Sequence, residues 1–195
     1  MQIEGVDIRI MDIAGVDMRQ LDNVSEARRE HILRFKREDD RRRALAATLL
    51  LDALLHEHAG VRERDVKLVI GKHGKPRLFD FDSLHFNISH SGRYAVAAMA
   101  PFAVGIDVQE LATFSPEEAR LVMPDDVVRQ LEALSEGERD REFTRRWTRL
   151  EACCKLTGEG LSTLTPDRVF EGIEIYDQWL DERHHLSVAF FSNEK

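Results

Sequence analysis

Apolar residues change their spacing along the chain, and each change marks an element. Ile3, Ile8, Ile10 and Ile13 mark a strand over residues 3–13. Ser25 is placed to cap a helix running to about Lys36, with Arg28 and Arg29 on its polar side. After Glu38-Asp39-Asp40, the positions Leu45, Leu49, Leu50, Ala53 and Leu54 keep helical spacing, and Gly60 closes that helix. Val66–Ile70 reads as a short strand, followed by the glycine-punctuated loop Gly71-Lys72-His73-Gly74-Lys75-Pro76. Tyr94–Ala100 and Phe102–Val108 are apolar enough to be two buried strands separated at Pro101.

The second half opens its helices with capping signals. Ser115-Pro116-Glu117-Glu118 combines an N-cap, a proline at the first helical position and an acid at the third. A further helix is expected over about 126–134. Ser135-Glu136-Gly137-Glu138 repeats the capping-box pattern and opens a long helix through about Thr157, closed at Gly158. Two strands remain, near 169–176 and 185–191. The alternation is α+β, with strands and one long helix in each half, although no sequence repeat is strong enough to prove duplication.

Composition narrows the class. With 195 residues and 43% hydrophobic content, the chain can bury the core of one domain or two small halves. Its only cysteines, Cys153 and Cys154, are adjacent, a geometry unsuited to an ordinary disulfide. Residues 1–7 show neither a basic n-region nor an apolar h-region, and no apolar run approaches the ~20 residues of a membrane span. A soluble cytoplasmic protein without membrane contact is expected.

The net charge of −8 is unevenly spread. Arg28, Arg29, Arg34, Lys36, Arg37, Arg41, Arg42 and Arg43 crowd one stretch, and Lys67, Lys72, Lys75 and Arg77 form a second cluster. The acidic excess lies in the C-terminal half. Nucleic-acid binding asks for a more basic domain, so these clusters are either solvated faces or a site for a compact polyanion.

Three separated blocks carry the candidate chemistry: Phe86-Asn87-Ile88-Ser89-His90-Ser91, Val104-Gly105-Ile106-Asp107-Val108-Gln109, and Trp147 to Lys155. The first offers hydroxyls, a histidine and turn-forming backbone. The second ends an apolar run on a carboxylate. In the third, Trp147, Glu151 and Lys155 stand four apart and share one helical stripe. Alone, Glu151 and Lys155 are an ordinary surface ion pair, Asp107 a strand terminator, His90 a turn residue and Lys75 an exposed turn lysine. Trp147 on the stripe argues that it runs along a buried seam. Asp107 and Glu151, brought together, would meet magnesium's demand for hard oxygen ligands, with water and substrate phosphates completing the shell.

These blocks resemble the 4′-phosphopantetheinyl transferases of the surfactin-synthetase-activating type. The match rests on Gly74-Lys75-Pro76, Phe86–Ser91, Gly105–Gln109 and Trp147–Lys155, in the family's order, with Arg37-Glu38-Asp39 opening the long N-terminal helix. The resemblance spans roughly residues 35–160. It implies a pseudo-twofold α+β fold of two similar halves, each with a small antiparallel sheet and a long helix. The halves are expected at 1–101, basic and binding coenzyme A phosphates, and at 102–195, carrying the metal and the catalytic helix. The implied reaction moves 4′-phosphopantetheine from coenzyme A to a serine of an apo acyl or peptidyl carrier protein and releases adenosine 3′,5′-bisphosphate.

By position, the resemblance makes Arg37, Arg42, Lys75 and Pro76 coenzyme A-binding, with Ser89 and His90 lining the nucleotide site. Asp107, Gln109 and Glu151 become the magnesium ligands. Glu151 is the general base for the carrier serine, Lys155 neutralises phosphate charge, and His90 completes the catalytic set. Two positions depart from the family. Gln109 replaces a second carboxylate, which predicts weaker metal affinity, and Leu150 replaces a lysine, which removes a cation. Both departures favour the alternative of a coenzyme A- or carrier-binding module with little transfer activity. A monomer is expected, with carrier contacts among Leu111, Phe114, Leu121, Val122 and Met123.

Overall fold

A computed structural model describes residues 2–161, 164–166 and 170–192. The chain begins with β1 (Asp7–Asp12), α1 (Glu26–Leu33) and α2 (Glu38–Ala59). The short pair β2 (Leu68–Ile70) and β3 (Pro76–Leu78) leads to β4 (His85–Ser91) and β5 (Tyr94–Ala100). There follow β6 (Val104–Glu110), α3 (Pro116–Val122), α4 (Asp125–Glu132), α5 (Glu136–Thr157), β7 (Ile173–Trp179) and β8 (His184–Phe191).

One plan is used twice. β1 leads to the 22-residue α2, and the chain returns through the β4–β5 pair into a sheet ordered β1-β5-β4. β6 leads to the 22-residue α5 and returns through β7–β8 into a sheet ordered β6-β8-β7. Every pairing is antiparallel. This is the α+β arrangement of two like halves read from the sequence. Both long helices end on a glycine in the left-handed region, Gly60 at φ 68° and Gly158 at φ 77°, whose N–H returns to the carbonyl four residues back. Only glycine adopts that conformation without a Cβ penalty.

The layers run helix, sheet, sheet, helix. On one face of β5, Ala95, Ala97 and Met99 pack against Leu45, Leu51, Leu54 and Leu55 of α2. On its other face, Val96, Ala98 and Ala100 meet Val104, Ile106 and Val108 of β6 and Leu186, Val188 and Phe190 of β8. α5 covers the far side, where Ala152, Cys153 and Leu156 pack with Ala189. Strands covered on both faces read as continuous apolar runs, which is why β5 and β6 were legible.

Several expectations are corrected locally. The first strand starts at Asp7, and Ile13 already belongs to a 3-10 turn capped by Asp12. The helix from Ser25 stops at Leu33, with the Arg34 N–H turning back to the His31 carbonyl, and does not reach Lys36. Ser25 does cap it, accepting from the Arg28 N–H at 3.4 Å. The Ser135 hydroxyl accepts no backbone N–H and instead donates at 2.5 Å to the Glu138 carboxylate, while the Ser135 carbonyl accepts from the Arg139 N–H at 2.8 Å. Phe86–Ser91 lies within the strand β4, and the turn comes after it at Gly92-Arg93. β7 begins at Ile173, and residues 167–169, partly within the expected strand 169–176, lie outside the described residues.

Candidate active site

The site grows from the seam between the two sheets. β6 is an edge strand, so alternate N–H groups on its outer side have no ladder partner, and buried edge amides need one. β4 supplies side chains at the same period of two. Asn87 Oδ1 accepts from the Ile106 N–H at 2.9 Å, Ser89 Oγ from Val108 at 3.4 Å, and Ser91 Oγ from Glu110 at 3.0 Å. The polar positions of the Phe86–Ser91 block therefore join the halves.

Gly105 brings α5 onto β6. A Cβ built there would lie 2.1 Å from the Ala152 carbonyl oxygen and 2.5 Å from the Leu156 amide nitrogen. Strand alternation puts Asp107 and Gln109 on that same face of β6. At this contact Ser89, Asp107 and Lys155 form a triangle. The Ser89 hydroxyl donates to Asp107 Oδ1 at 2.7 Å, while Lys155 Nζ donates to Asp107 Oδ1 at 2.6 Å and to Ser89 Oγ at 2.8 Å. Asp107 is buried, and its second oxygen, Oδ2, has no hydrogen-bond partner. Trp147 packs beside Phe143 at 5.7 Å between ring centroids and anchors the stripe that carries Glu151 and Lys155.

Glu151 is half-buried. Burial raises its carboxyl above the ordinary carboxylate range, the Asp107 charge raises it further, and Lys155 and the Trp147 indole oppose this. Two neighbouring carboxylates that share one cation are under-neutralised. Among the described residues there is no group of three or more His, Cys, Asp or Glu side chains placed to hold a metal ion. The donor set is thus two carboxylates, with the Gln109 amide on the same face. That set and the orphaned Asp107 Oδ2 fit a hard divalent cation whose shell is completed by water and phosphate oxygens.

A cleft of about 1070 Å³ opens at the end of β4, where His90 and Ser91, the residues next after Ser89 of the triangle, lie on its wall. Arg37, Arg42, Arg43, His90 and Arg93 line it from one half, with Glu110, Arg183 and His184 from the other. The negative side chains Asp12, Glu38, Asp39 and Asp40 also reach its wall. Arg42 is held by Glu38 at 2.7 Å and donates to the Val16 carbonyl at 3.1 Å. His90 faces the cleft, where loss of hydration and then the charges of Lys155 and Arg43 hold its imidazole below the usual value, outweighing Asp40.

Lys75 and Pro76 lie elsewhere. They line a smaller cavity of about 240 Å³ with Lys155 and Asn87. Lys75 Nζ donates to the carbonyls of Leu156 at 2.9 Å and Val104 at 3.2 Å, which clips the 71–76 loop to the end of α5. Burial lowers its pKa to about 8. The structure thus gathers Ser89, Asp107, Glu151 and Lys155 and sets His90, Arg37 and Arg42 on the adjoining cleft. It leaves Lys75 and Pro76 on the cavity behind Lys155. Of the apolar residues expected at a carrier surface, Leu121 is 70% exposed, whereas Met123 is in the core and Phe114 packs on Phe143. Arg43 on the cleft wall belongs to the basic stretch read from the sequence, whereas Arg93, Arg183 and His184 were overlooked, because nothing local marks residues that meet only across the fold.

Residues 18–102 match the family described as 4′-phosphopantetheinyl transferase, N-terminal, and residues 103–190 match the 4′-phosphopantetheinyl transferase superfamily. The chain belongs to the 4′-phosphopantetheinyl transferase superfamily. Among its relatives in that superfamily, the 4′-phosphopantetheinyl transferase Sfp of Bacillus subtilis (strain 168) is 30% identical over 139 residues, covering 71% of this chain and 62% of the relative. The 4′-phosphopantetheinyl transferase ffp of Bacillus subtilis is 28% identical, covering 74% of this chain and 64% of the relative. A further 4′-phosphopantetheinyl transferase of Bacillus subtilis is 28% identical, covering 83% and 72% respectively. The chain therefore spans a little under two thirds of the length of the first two transferases.

Proposed function

We propose that this protein transfers the 4′-phosphopantetheine group of coenzyme A to a serine of an apo acyl or peptidyl carrier protein, releasing adenosine 3′,5′-bisphosphate. The observation that carries the reading is the Ser89–Asp107–Lys155 triangle with Glu151 beside it, one residue along β4 from His90, which lines a cleft walled by arginines. Residues 1–101 supply His90 and all the cleft arginines but Arg183, and residues 102–195 supply Arg183, Asp107, Glu151 and Lys155.

In this mechanism Arg37, Arg42 and Arg43 hold the phosphates of coenzyme A, and His90 donates to one of them. Arginine suits that role because its planar fork matches phosphate oxygens. The carrier serine oxygen attacks the phosphorus that bears the pantetheine arm, and the bond from that phosphorus to the oxygen of the adenosine bisphosphate breaks. Glu151, its pKa raised by burial and by the Asp107 charge and its carboxylate thereby a stronger base, takes the serine proton. Lys155 stabilises charge developing on the transferring phosphate, which in phosphoryl transfer is where most catalysis arises. Asp107, Glu151 and, more weakly, Gln109 would hold a magnesium ion that neutralises pyrophosphate charge when bound. Lys75, clipped to α5, keeps Lys155 in place and can add charge behind the site. We read the protein as a cytoplasmic monomer; no helix among the described residues is long and apolar enough to cross a membrane.

The test is to incubate the purified protein with coenzyme A, magnesium and a panel of fatty-acid, polyketide and peptide-synthetase apo carriers. A mass gain of one phosphopantetheine group on a carrier, abolished by EDTA, is expected. No gain on any carrier while coenzyme A still binds would replace transfer by a binding role.

A further inference from the structure

The turn that follows the Phe86–Ser91 block is held from both halves of the molecule. Gly92 and Arg93 connect β4 to β5, and Gly92 has φ 53°. From α2, Arg43 Nη1 donates to the Gly92 carbonyl at 2.7 Å. From β8, His184 Nε2 accepts from the Arg93 N–H at 3.3 Å. A Cβ at Gly92 would lie 2.3 Å from His184 Nε2, so the imidazole sits directly against the turn.

The histidine is itself fixed. It is 3% exposed, and the Tyr94 ring meets it edge-on at 4.8 Å between centroids. Because Nε2 accepts from Arg93, the ring proton resides on Nδ1, which donates to Asp181 Oδ1 at 2.9 Å. Asp181 Oδ1 also accepts from the His184 N–H at 2.8 Å. A carboxylate that fixes tautomer and ring plane is the arrangement used to orient a working histidine. Here the imidazole's second nitrogen meets a backbone amide, so the ordered object is the turn.

We infer that Asp181 and His184 are positioning residues for coenzyme A, acting through the Gly92-Arg93 turn. The inference rests on the transferase reading and deepens it. His90, Gly92, Arg93 and His184 all line the 1070 Å³ cleft. The turn begins two residues after His90, so its placement sets the height of His90 and of the Gly92 backbone against a bound nucleotide. Asp181 and His184 of the C-terminal half thus shape the nucleotide pocket of the N-terminal half without themselves serving as phosphate ligands.

Three proteins are compared: wild type, His184→Phe and His184→Gln. Phenylalanine keeps the contact with Tyr94 and loses the acceptor, whereas glutamine offers an oxygen acceptor to the Arg93 N–H. Amide hydrogen exchange of Arg93 should accelerate about tenfold in His184→Phe, the worth of one lost hydrogen bond. The KM for coenzyme A should rise by about the same factor with kcat within about twofold, and His184→Gln should recover most of both. Unchanged Arg93 exchange, an unchanged KM, or a fall in kcat alone would overturn the inference. Asp181→Ala, expected to shift KM in the same direction, decides the matter if His184→Phe does not fold. A wild-type protein that neither binds nor turns over coenzyme A would sink the transferase reading, and the inference with it, before any variant is compared.

Discussion

Gly105→Ala is the perturbation that connects packing to catalysis most directly. Gly105 does not have positive φ, so alanine brings no backbone strain of its own. The entire effect comes from the added methyl, which would sit 2.1 Å from the Ala152 carbonyl oxygen and 2.5 Å from the Leu156 amide nitrogen, where ordinary contacts begin at 3.4 Å. Both obstacles are helix backbone, which cannot rotate aside as a side chain can. α5 must therefore withdraw from β6 by more than an ångström. Overpacking of this kind costs about 1–3 kcal/mol, and rigid neighbours put the expectation at the upper end. The withdrawal opens the Lys155–Asp107 contact, now 2.6 Å, and separates Glu151 from Asp107. A misplacement of about 1 Å among reacting groups can cost about 100-fold in rate. Urea unfolding and carrier modification by mass spectrometry, at a temperature where the variant is folded, measure the two effects separately. Gly137→Ala is the control, since nothing lies within 4 Å of that Cβ; it should be neutral or stabilising by up to about 1 kcal/mol. A Gly105→Ala protein within about 0.5 kcal/mol of wild type and fully active would refute the close-packing argument.

Further outcomes are expected. Gln109→Glu adds a carboxylate on the Asp107 face and should lower the magnesium concentration needed for half-maximal activity; an unchanged magnesium titration would remove residue 109 from the ligand set. Lys75→Met should destabilise by about 1–3 kcal/mol by leaving the Val104 and Leu156 carbonyls without their donor, and an unaltered unfolding midpoint would show that water replaces the clip freely. His185 is fully buried, and burial first of all lowers its pKa to about 4. Between pH 6.5 and 4 the unfolded chain binds a proton that the folded one does not, so stability should fall as pH drops through that window, by at most about 3 kcal/mol. His185→Leu should flatten that part of the profile, and an identical slope in both proteins would contradict the assignment. A compact polyanion in the cleft should raise the His90 pKa, observable as a shifted imidazole titration by NMR on adding coenzyme A.

What the sequence revealed and what it hid divide along physical lines. α5 was legible at both ends because Ser135 and Gly158 bracket an uninterrupted polar-apolar period, and Gly60 marks α2 in the same way. β5 and β6 were legible because both faces are buried. β4 was missed as a strand because Asn87, Ser89 and Ser91, which suggest a turn, are polar in order to serve the amides of β6. β3 spans three residues and opens on a proline, too little for any periodicity. Asp107, Glu151, Lys155 and Ser89 were found from the blocks that carry them. The partners of Lys75, Arg43 and Arg93 were not, since those contacts join residues 81, 49 and 91 positions apart.

We propose that the Asp107-centred site moves the phosphopantetheine arm from coenzyme A to a carrier serine. The most direct measurement is the stoichiometry of adenosine 3′,5′-bisphosphate released against carrier modified, for wild type and for Asp107→Ala. One bisphosphate per modified carrier is expected in the wild type and neither product above background in the variant. Bisphosphate release without modification of the carrier, or an Asp107→Ala protein that turns over normally, would contradict it.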